Sequence, residues 1–127
     1  MRRILVVDDE PDIVRVVVTI MKDCGHEVAI ARDGETALEM ARAQPPDAII
    51  LDLLLPRLDG YEVCRQLKAD ERTRHIPIIL MTAAYVSLDE ARQVAELGAD
   101  EYVVKPFMRE VLVRNVERCL PHARNQT

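Results

Sequence analysis

Short apolar runs recur along the chain at Ile4–Val7, Val28–Ala31, Ala48–Leu53, Ile76–Met81 and Tyr102–Val104. Most are continuous rather than alternating with polar residues. A strand reads that way when both faces of its sheet are covered, as in a parallel sheet. Longer stretches with helical period lie between them. In Pro11–Cys24, Val14, Val17, Val18 and Met21 share one helical face. The β-branched run Val16-Val17-Val18-Thr19 favours a strand there. Length, Pro11 in the first turn and Gly25 just past the end decide for a helix. The second helix is expected over Gly34–Ala43, with Asp33 as N-cap and Pro45-Pro46 as the stop. The third spans Gly60–Ala69, opened by Asp59-Gly60-Tyr61-Glu62, a capping box with Asp in place of Ser. The fourth, Leu88–Leu97, is opened by the capping box Ser87-Leu88-Asp89-Glu90 and closed by Gly98. The fifth runs over about Phe107–Leu120, with Val111, Leu112, Val116 and Leu120 inward and Pro121 ending it.

The order is strand then helix, repeated along the whole chain. Such alternation with short connections predicts an α/β fold: a doubly wound, five-stranded parallel sheet with right-handed crossovers and helices on both faces. With 127 residues the chain suits one domain, expected over residues 1–121. Residues 122–127 read as a polar C-terminal stub.

Charge and composition narrow the function. Lys plus Arg is 17 against 22 for Asp plus Glu, a net charge of −5. That argues against binding of nucleic acid or anionic lipid by this domain. Aromatics are 3% with no Trp, which weakens readings built on stacking platforms. No run approaches a membrane span or a signal-peptide core. Cys24, Cys64 and Cys119 are far apart and form no metal-type pair, so buried free thiols in a reducing cytoplasm are expected. His26, His75 and His122 are scattered and read as surface residues.

In a doubly wound sheet, sites form beyond the carboxyl ends of the strands. Strand one ends in Asp8-Asp9-Glu10, strand three at Asp52, strand four at Thr82-Ala83 and strand five at Lys105-Pro106. Each residue alone has an ordinary explanation: a helix cap, a strand end, a β-branched strand residue, a solvated charge. Gathered at one rim they form a pattern. Neighbouring strands lie about 4.8 Å apart, so if strands one and three are adjacent their carboxylates converge. Converging like charges raise one another's pKa unless a cation intervenes. A hard divalent cation such as Mg²⁺ takes oxygen ligands and often completes its shell with phosphoryl oxygens. A Lys and a Thr hydroxyl opposite would then hold an anion, which suits phosphoryl chemistry on a carboxylate nucleophile.

The Asp8-Asp9 pair, the run Asp52-Leu53-Leu54-Leu55-Pro56-Arg57-Leu58-Asp59-Gly60, the step Met81-Thr82-Ala83 and the segment from Gly98 to Phe107 resemble the receiver domain of response regulators. The resemblance covers residues 3 to 120, with the motifs in order. It implies the flavodoxin-like strand order 2-1-3-4-5. It implies that Asp52 is the phosphoacceptor for a sensor histidine kinase or phosphotransfer protein. It implies Mg²⁺ held by Asp8, Asp9, Asp52 and the Leu54 backbone carbonyl. Thr82, the Ala83 N–H and Lys105 would contact the phosphoryl group, across a cis Lys105–Pro106 bond. Thr82 and Tyr102 would form the switch. Helix four, strand five and helix five would present the face read by a downstream effector or by a second copy of the domain. Leu55 stands where the family often has Met. Leu54 and Ala84 fall at positions that tune phosphoryl lifetime.

On this reading the domain is no enzyme beyond catalysing its own phosphorylation and dephosphorylation. The alternative is an aspartyl-phosphate-forming phosphatase, such as the haloacid-dehalogenase type, but Asp8-Asp9-Glu10 lacks the D-x-D-x-T pattern. A flavodoxin-like electron carrier would need a hydroxyl-rich phosphate loop after strand one, where this chain carries acids.

Overall fold

The structure, a computed structural model, describes residues 2–55, 58–82 and 88–120. Five strands and five helices alternate among the described residues: β1 Arg3–Val7, α1 Pro11–Asp23, β2 Glu27–Ala31, α2 Gly34–Ala43, β3 Ala48–Asp52, α3 Gly60–Ala69, β4 Ile78–Thr82, α4 Leu88–Glu96, β5 Glu101–Val104 and α5 Arg109–Cys119. The strands form one sheet in the order β2-β1-β3-β4-β5. Every pairing is parallel, with Val7 opposite Leu51, Asp52 opposite Met81 and Thr82 opposite Val104.

Strand periodicity divides the core in two. Leu5, Val7, Ile49, Leu51, Ile78 and Leu80 face Ala37, Leu38 and Ala41 of α2 and Val63, Cys64 and Leu67 of α3. Ile4, Val6, Ile50, Ile79 and Met81 face Val17, Ile20 and Met21 of α1 and Leu112 and Val116 of α5. Successive residues are buried from Ile4 to Val7 in β1 and throughout β3 and β4, which explains their continuous apolar sequence; the edge strands β2 and β5 are largely half-buried or exposed. In α1 the buried face is Val14, Val17, Ile20 and Met21, with Val18 only partly buried.

Helix ends follow local chemistry with small differences from expectation. Asp33 accepts from the Thr36 N–H at 2.8 Å, and Asp59 from the Glu62 N–H at 2.9 Å. Glu62 turns its carboxylate to Arg65 and Gln66. Gly25 (φ 87°) and Gly98 (φ 78°) take the left-handed conformation that a side chain disfavours. Helix α1 is preceded by Glu10 with no side-chain cap; the Asp8 carboxylate accepts the Glu10 N–H instead, at 2.9 Å. Strand β4 starts at Ile78 rather than Ile76, because Pro77 has no N–H for the ladder. Helix α5 starts at Arg109 rather than Phe107, behind an extended Met108. The capping box at Ser87, the stop at Pro121, His122 and the 122–127 stub lie outside the described residues.

The cysteines are free. Cys64 is buried, whereas Cys24 and Cys119, at helix ends, are only partly so. His75 is exposed and His26 half-buried.

Candidate functional site

Adjacent parallel strands deliver their terminal residues to one edge of the sheet. Asp8 follows β1, Asp52 ends β3, Thr82 ends β4 and Lys105 follows β5. Asp8 is 0% exposed, Asp52 2% and Thr82 4%. Three such polar side chains among apolar strand interiors carry a desolvation cost that needs a compensating partner.

Part of the compensation is local. The Leu54 N–H donates to Asp52 Oδ1 at 3.0 Å. The Lys105 backbone N–H donates to the Thr82 carbonyl at 2.8 Å, carrying the β4–β5 ladder to its last residue. The Lys105–Pro106 peptide is cis. The Lys105 ammonium donates to Asp52 Oδ2 at 3.0 Å. It lies 3.6 Å from Asp8 Oδ2 and 3.8 Å from Glu10 Oε1. One cation thus faces three carboxylates.

That balance is incomplete. Carboxylate oxygens of Asp8, Glu10 and Asp52 lie within 4.8 Å of one another. Burial, with the neighbouring Asp52 charge, pushes the Asp8 pKa up to about 6, against the hydrogen bond from the Glu10 N–H. Burial works against the Lys105 ammonium, but Asp52, Asp8 and Glu10 outweigh it and raise its pKa. Asp8 Oδ2 and Thr82 Oγ1 are buried with no hydrogen-bond partner among the described residues. An orphaned carboxylate oxygen beside two more carboxylates is an all-oxygen donor set suited to a hard divalent cation. The Thr82 hydroxyl, on the residue paired with Val104 just before Lys105, and the Lys105 ammonium are donors of the kind that bind an anion.

The structure therefore brings together Asp8, Asp52, Thr82 and Lys105 as expected. Asp9 is exposed and stands outside the carboxylate cluster. Glu10, which was not among the expected ligands, takes a place in the cluster; its only sequence signal is adjacency to the Asp pair. Leu54 lies at the rim, 71% exposed. Tyr102 is 59% exposed on β5, and its carbonyl accepts from Asn115 Nδ2 of α5 at 3.2 Å. Ala83 and Ala84 lie outside the described residues.

Comparison with known proteins agrees with this geometry. Residues 4–117 match the family model of the response regulator receiver domain. The alkaline phosphatase synthesis transcriptional regulatory protein PhoP of Bacillus subtilis is 45% identical over 114 residues, covering 89% of this chain and 46% of that protein. The DNA-binding response regulator MtrA of Mycolicibacterium smegmatis is 40% identical over 115 residues, covering 91% of this chain and 49% of that protein. The chain thus spans about half the length of the curated relatives it matches. Among solved structures, the receiver domain of the sensor histidine kinase PA1611 from Pseudomonas aeruginosa, with a magnesium ion coordinated in its active-site cleft, superposes with a TM-score of 0.84 at 35% identity. That match covers 92% of this chain and 95% of the other. A family match over nearly the whole chain, on this fold and at this identity, leads to one conclusion: the chain belongs to the response regulator receiver domains, the signal-receiving modules of two-component regulation.

Proposed function

We propose that Asp52 is the phosphoacceptor of this receiver, taking its phosphoryl group from the phosphohistidine of a sensor histidine kinase or a phosphotransfer protein. The observation that carries this is the position of Asp52. It is a buried carboxylate at the end of the central strand, paired with Lys105 at 3.0 Å and sharing its rim with the Thr82 hydroxyl, which has no partner among the described residues.

In the transfer, an Asp52 carboxylate oxygen forms the new bond to phosphorus while the bond from phosphorus to the histidine nitrogen breaks. Lys105 already sits against Asp52 and can follow the charge onto the phosphoryl oxygens. The Thr82 hydroxyl and the Ala83 N–H donate to those oxygens, a role for Ala83 that rests on the family resemblance alone. Asp8, Asp9, Asp52 and the Leu54 carbonyl are the proposed Mg²⁺ ligands. Bound there, Mg²⁺ would supply positive charge between the carboxylates and the incoming group. The exposed Asp9 side chain is free to turn inward, and Glu10 is close enough to add charge or a water-mediated contact.

Output is proposed to leave through helix α4, strand β5 and helix α5, where Thr82 and Tyr102 act as the switch. Tyr102, Val104 and Met108 are exposed apolar side chains on or next to β5, a surface suited to an effector or a second copy of the domain. The domain acts as a signalling module that catalyses only its own phosphorylation and dephosphorylation. Its net charge of −5 argues against direct contact with nucleic acid. No helix among the described residues is long and apolar enough to cross a membrane, and a cytoplasmic site of action fits the kinase partner.

The test is incubation with acetyl phosphate and Mg²⁺, read by intact mass. Wild type should gain one phosphoryl group. Asp52→Asn, and wild type with EDTA, should gain none. Labelling that persists in Asp52→Asn would overturn the assignment.

A further inference from the structure

We propose that Gly60 is a positioning residue for Asp52: its lack of a side chain sets the Asp52–Leu54 backbone in the geometry that metal and phosphoryl binding require. The inference rests on Asp52 being the acceptor.

Gly60 opens α3 and lies against the strand end that carries Asp52. A Cβ on Gly60 would stand 2.4 Å from the Asp52 carbonyl oxygen, 2.5 Å from Leu53 Cα and 3.0 Å from the Leu53 carbonyl carbon. All three are backbone atoms, so no flexible side chain can yield. The positive-φ glycines are Gly25 and Gly98, so the demand at Gly60 is for space, not for an unusual conformation. The same contact is drawn tight by a hydrogen bond from the Gly60 N–H to the Leu53 carbonyl, at 3.0 Å.

The strand side of this contact is pinned. Asp52 pairs with Met81 in the β3–β4 register, and the Leu53 N–H donates to the Met81 carbonyl at 3.2 Å. A methyl group at residue 60 must therefore displace the first turn of α3, the Leu53–Leu54 peptide, or both. The Leu54 N–H is the donor to Asp52 Oδ1, and the Leu54 carbonyl is a proposed metal ligand. Displacement there reaches the carboxylate directly, and displacements of this size are costly to a preorganised site.

Gly34 is an internal control. A Cβ there would meet the Leu58 carbonyl oxygen and Val63 Cγ2, both at 2.6 Å. The overpacking is comparable, but it presses α2 on Leu58 and α3 instead of on Asp52.

The experiment compares wild type, Gly34→Ala and Gly60→Ala. It measures melting temperature, the Leu54 amide resonance without metal, Mg²⁺ affinity by amide-shift titration, and the rate of acetyl-phosphate labelling. Both variants should melt lower than wild type. Gly60→Ala should move the Leu54 amide resonance, weaken Mg²⁺ about tenfold and slow labelling about tenfold. Gly34→Ala should stay within about twofold of wild type in affinity and rate. Wild-type affinity and rate in Gly60→Ala, or equal losses in both variants, would overturn the proposal. A wild type that is not labelled on Asp52 would overturn the acceptor reading and this one with it. Hydrogen exchange on wild type covers a Gly60→Ala chain that does not fold. The Gly60 N–H should exchange as slowly as the β3 amides, although helix-opening amides ordinarily exchange fast. Loop-like exchange would overturn the lock.

Discussion

The Lys105 ammonium lies 3.0 Å from Asp52 Oδ2, although the two residues leave strands β5 and β3, which are separated in the sheet by β4. The same ammonium reaches Asp8 and Glu10 at 3.6 and 3.8 Å. It is the charge that allows three carboxylates to share one largely buried corner, and removing it has two opposite effects. Lys105→Met should destabilise the metal-free protein by roughly 1–3 kcal/mol, since buried carboxylates lose their cation. It should also tighten Mg²⁺ binding about threefold or more, because an ammonium no longer competes for those oxygens. Melting in EDTA and Mg²⁺ titration read the two effects; Mg²⁺ affinity equal to wild type would show that the ammonium does not compete.

Asp8 makes the metal-free fold sensitive to pH. Its folded pKa is pushed up to about 6 from 3.8. Between those values the folded state holds a proton that the unfolded state has released, so stability falls as pH rises through that window. A shift of this size corresponds to on the order of 2–3 kcal/mol lost by neutral pH. Asp8→Asn should therefore melt higher than wild type at pH 7 in EDTA and show a flatter dependence between pH 4 and pH 6. A lower melting temperature for Asp8→Asn at pH 7 would contradict this.

Asp9 should behave differently from Asp8. Its side chain is exposed and outside the carboxylate cluster, so in EDTA Asp9→Asn should melt within about 1 °C of wild type, as surface changes usually do. Millimolar Mg²⁺ raises wild-type stability by mass action, and that gain should shrink in Asp9→Asn. An equal Mg²⁺ gain in both proteins would remove Asp9 from the ligand set.

Thr82 carries a buried hydroxyl without a partner among the described residues, which costs about 1–3 kcal/mol. Thr82→Val keeps the shape and removes the hydroxyl, so the resting protein should melt a few degrees higher. The hydroxyl gains its partner when phosphoryl oxygens arrive. In wild type with Mg²⁺ and beryllofluoride, Thr82 should approach Asp52 and Tyr102 should fall well below its present 59% exposure. In Thr82→Val, Tyr102 should stay exposed. Burial of Tyr102 in both proteins would disconnect the two residues.

Most of this architecture is legible in the chain itself. Continuous apolar runs such as Ile4–Val7 and Ala48–Leu51 can bury both faces only in a covered parallel sheet. Asp33, Asp59, Gly25 and Gly98 mark helix ends by local chemistry that needs no distant partner. Acids, Thr and Lys at strand ends were visible as positions in the order of the motifs. What the chain alone could not decide is which of these side chains meet. Asp8 and Glu10, not Asp9, crowd against Asp52, because the turn from β1 into α1 points successive side chains in different directions. Lys105 reaches across β4 only because parallel pairing brings the ends of β3, β4 and β5 to one edge. The same holds at Gly60, whose missing Cβ matters because α3 closes onto the Asp52 backbone. Local preferences are set by neighbours in sequence, whereas charge balance, burial and close approach depend on neighbours in space, and only the folded sheet provides those.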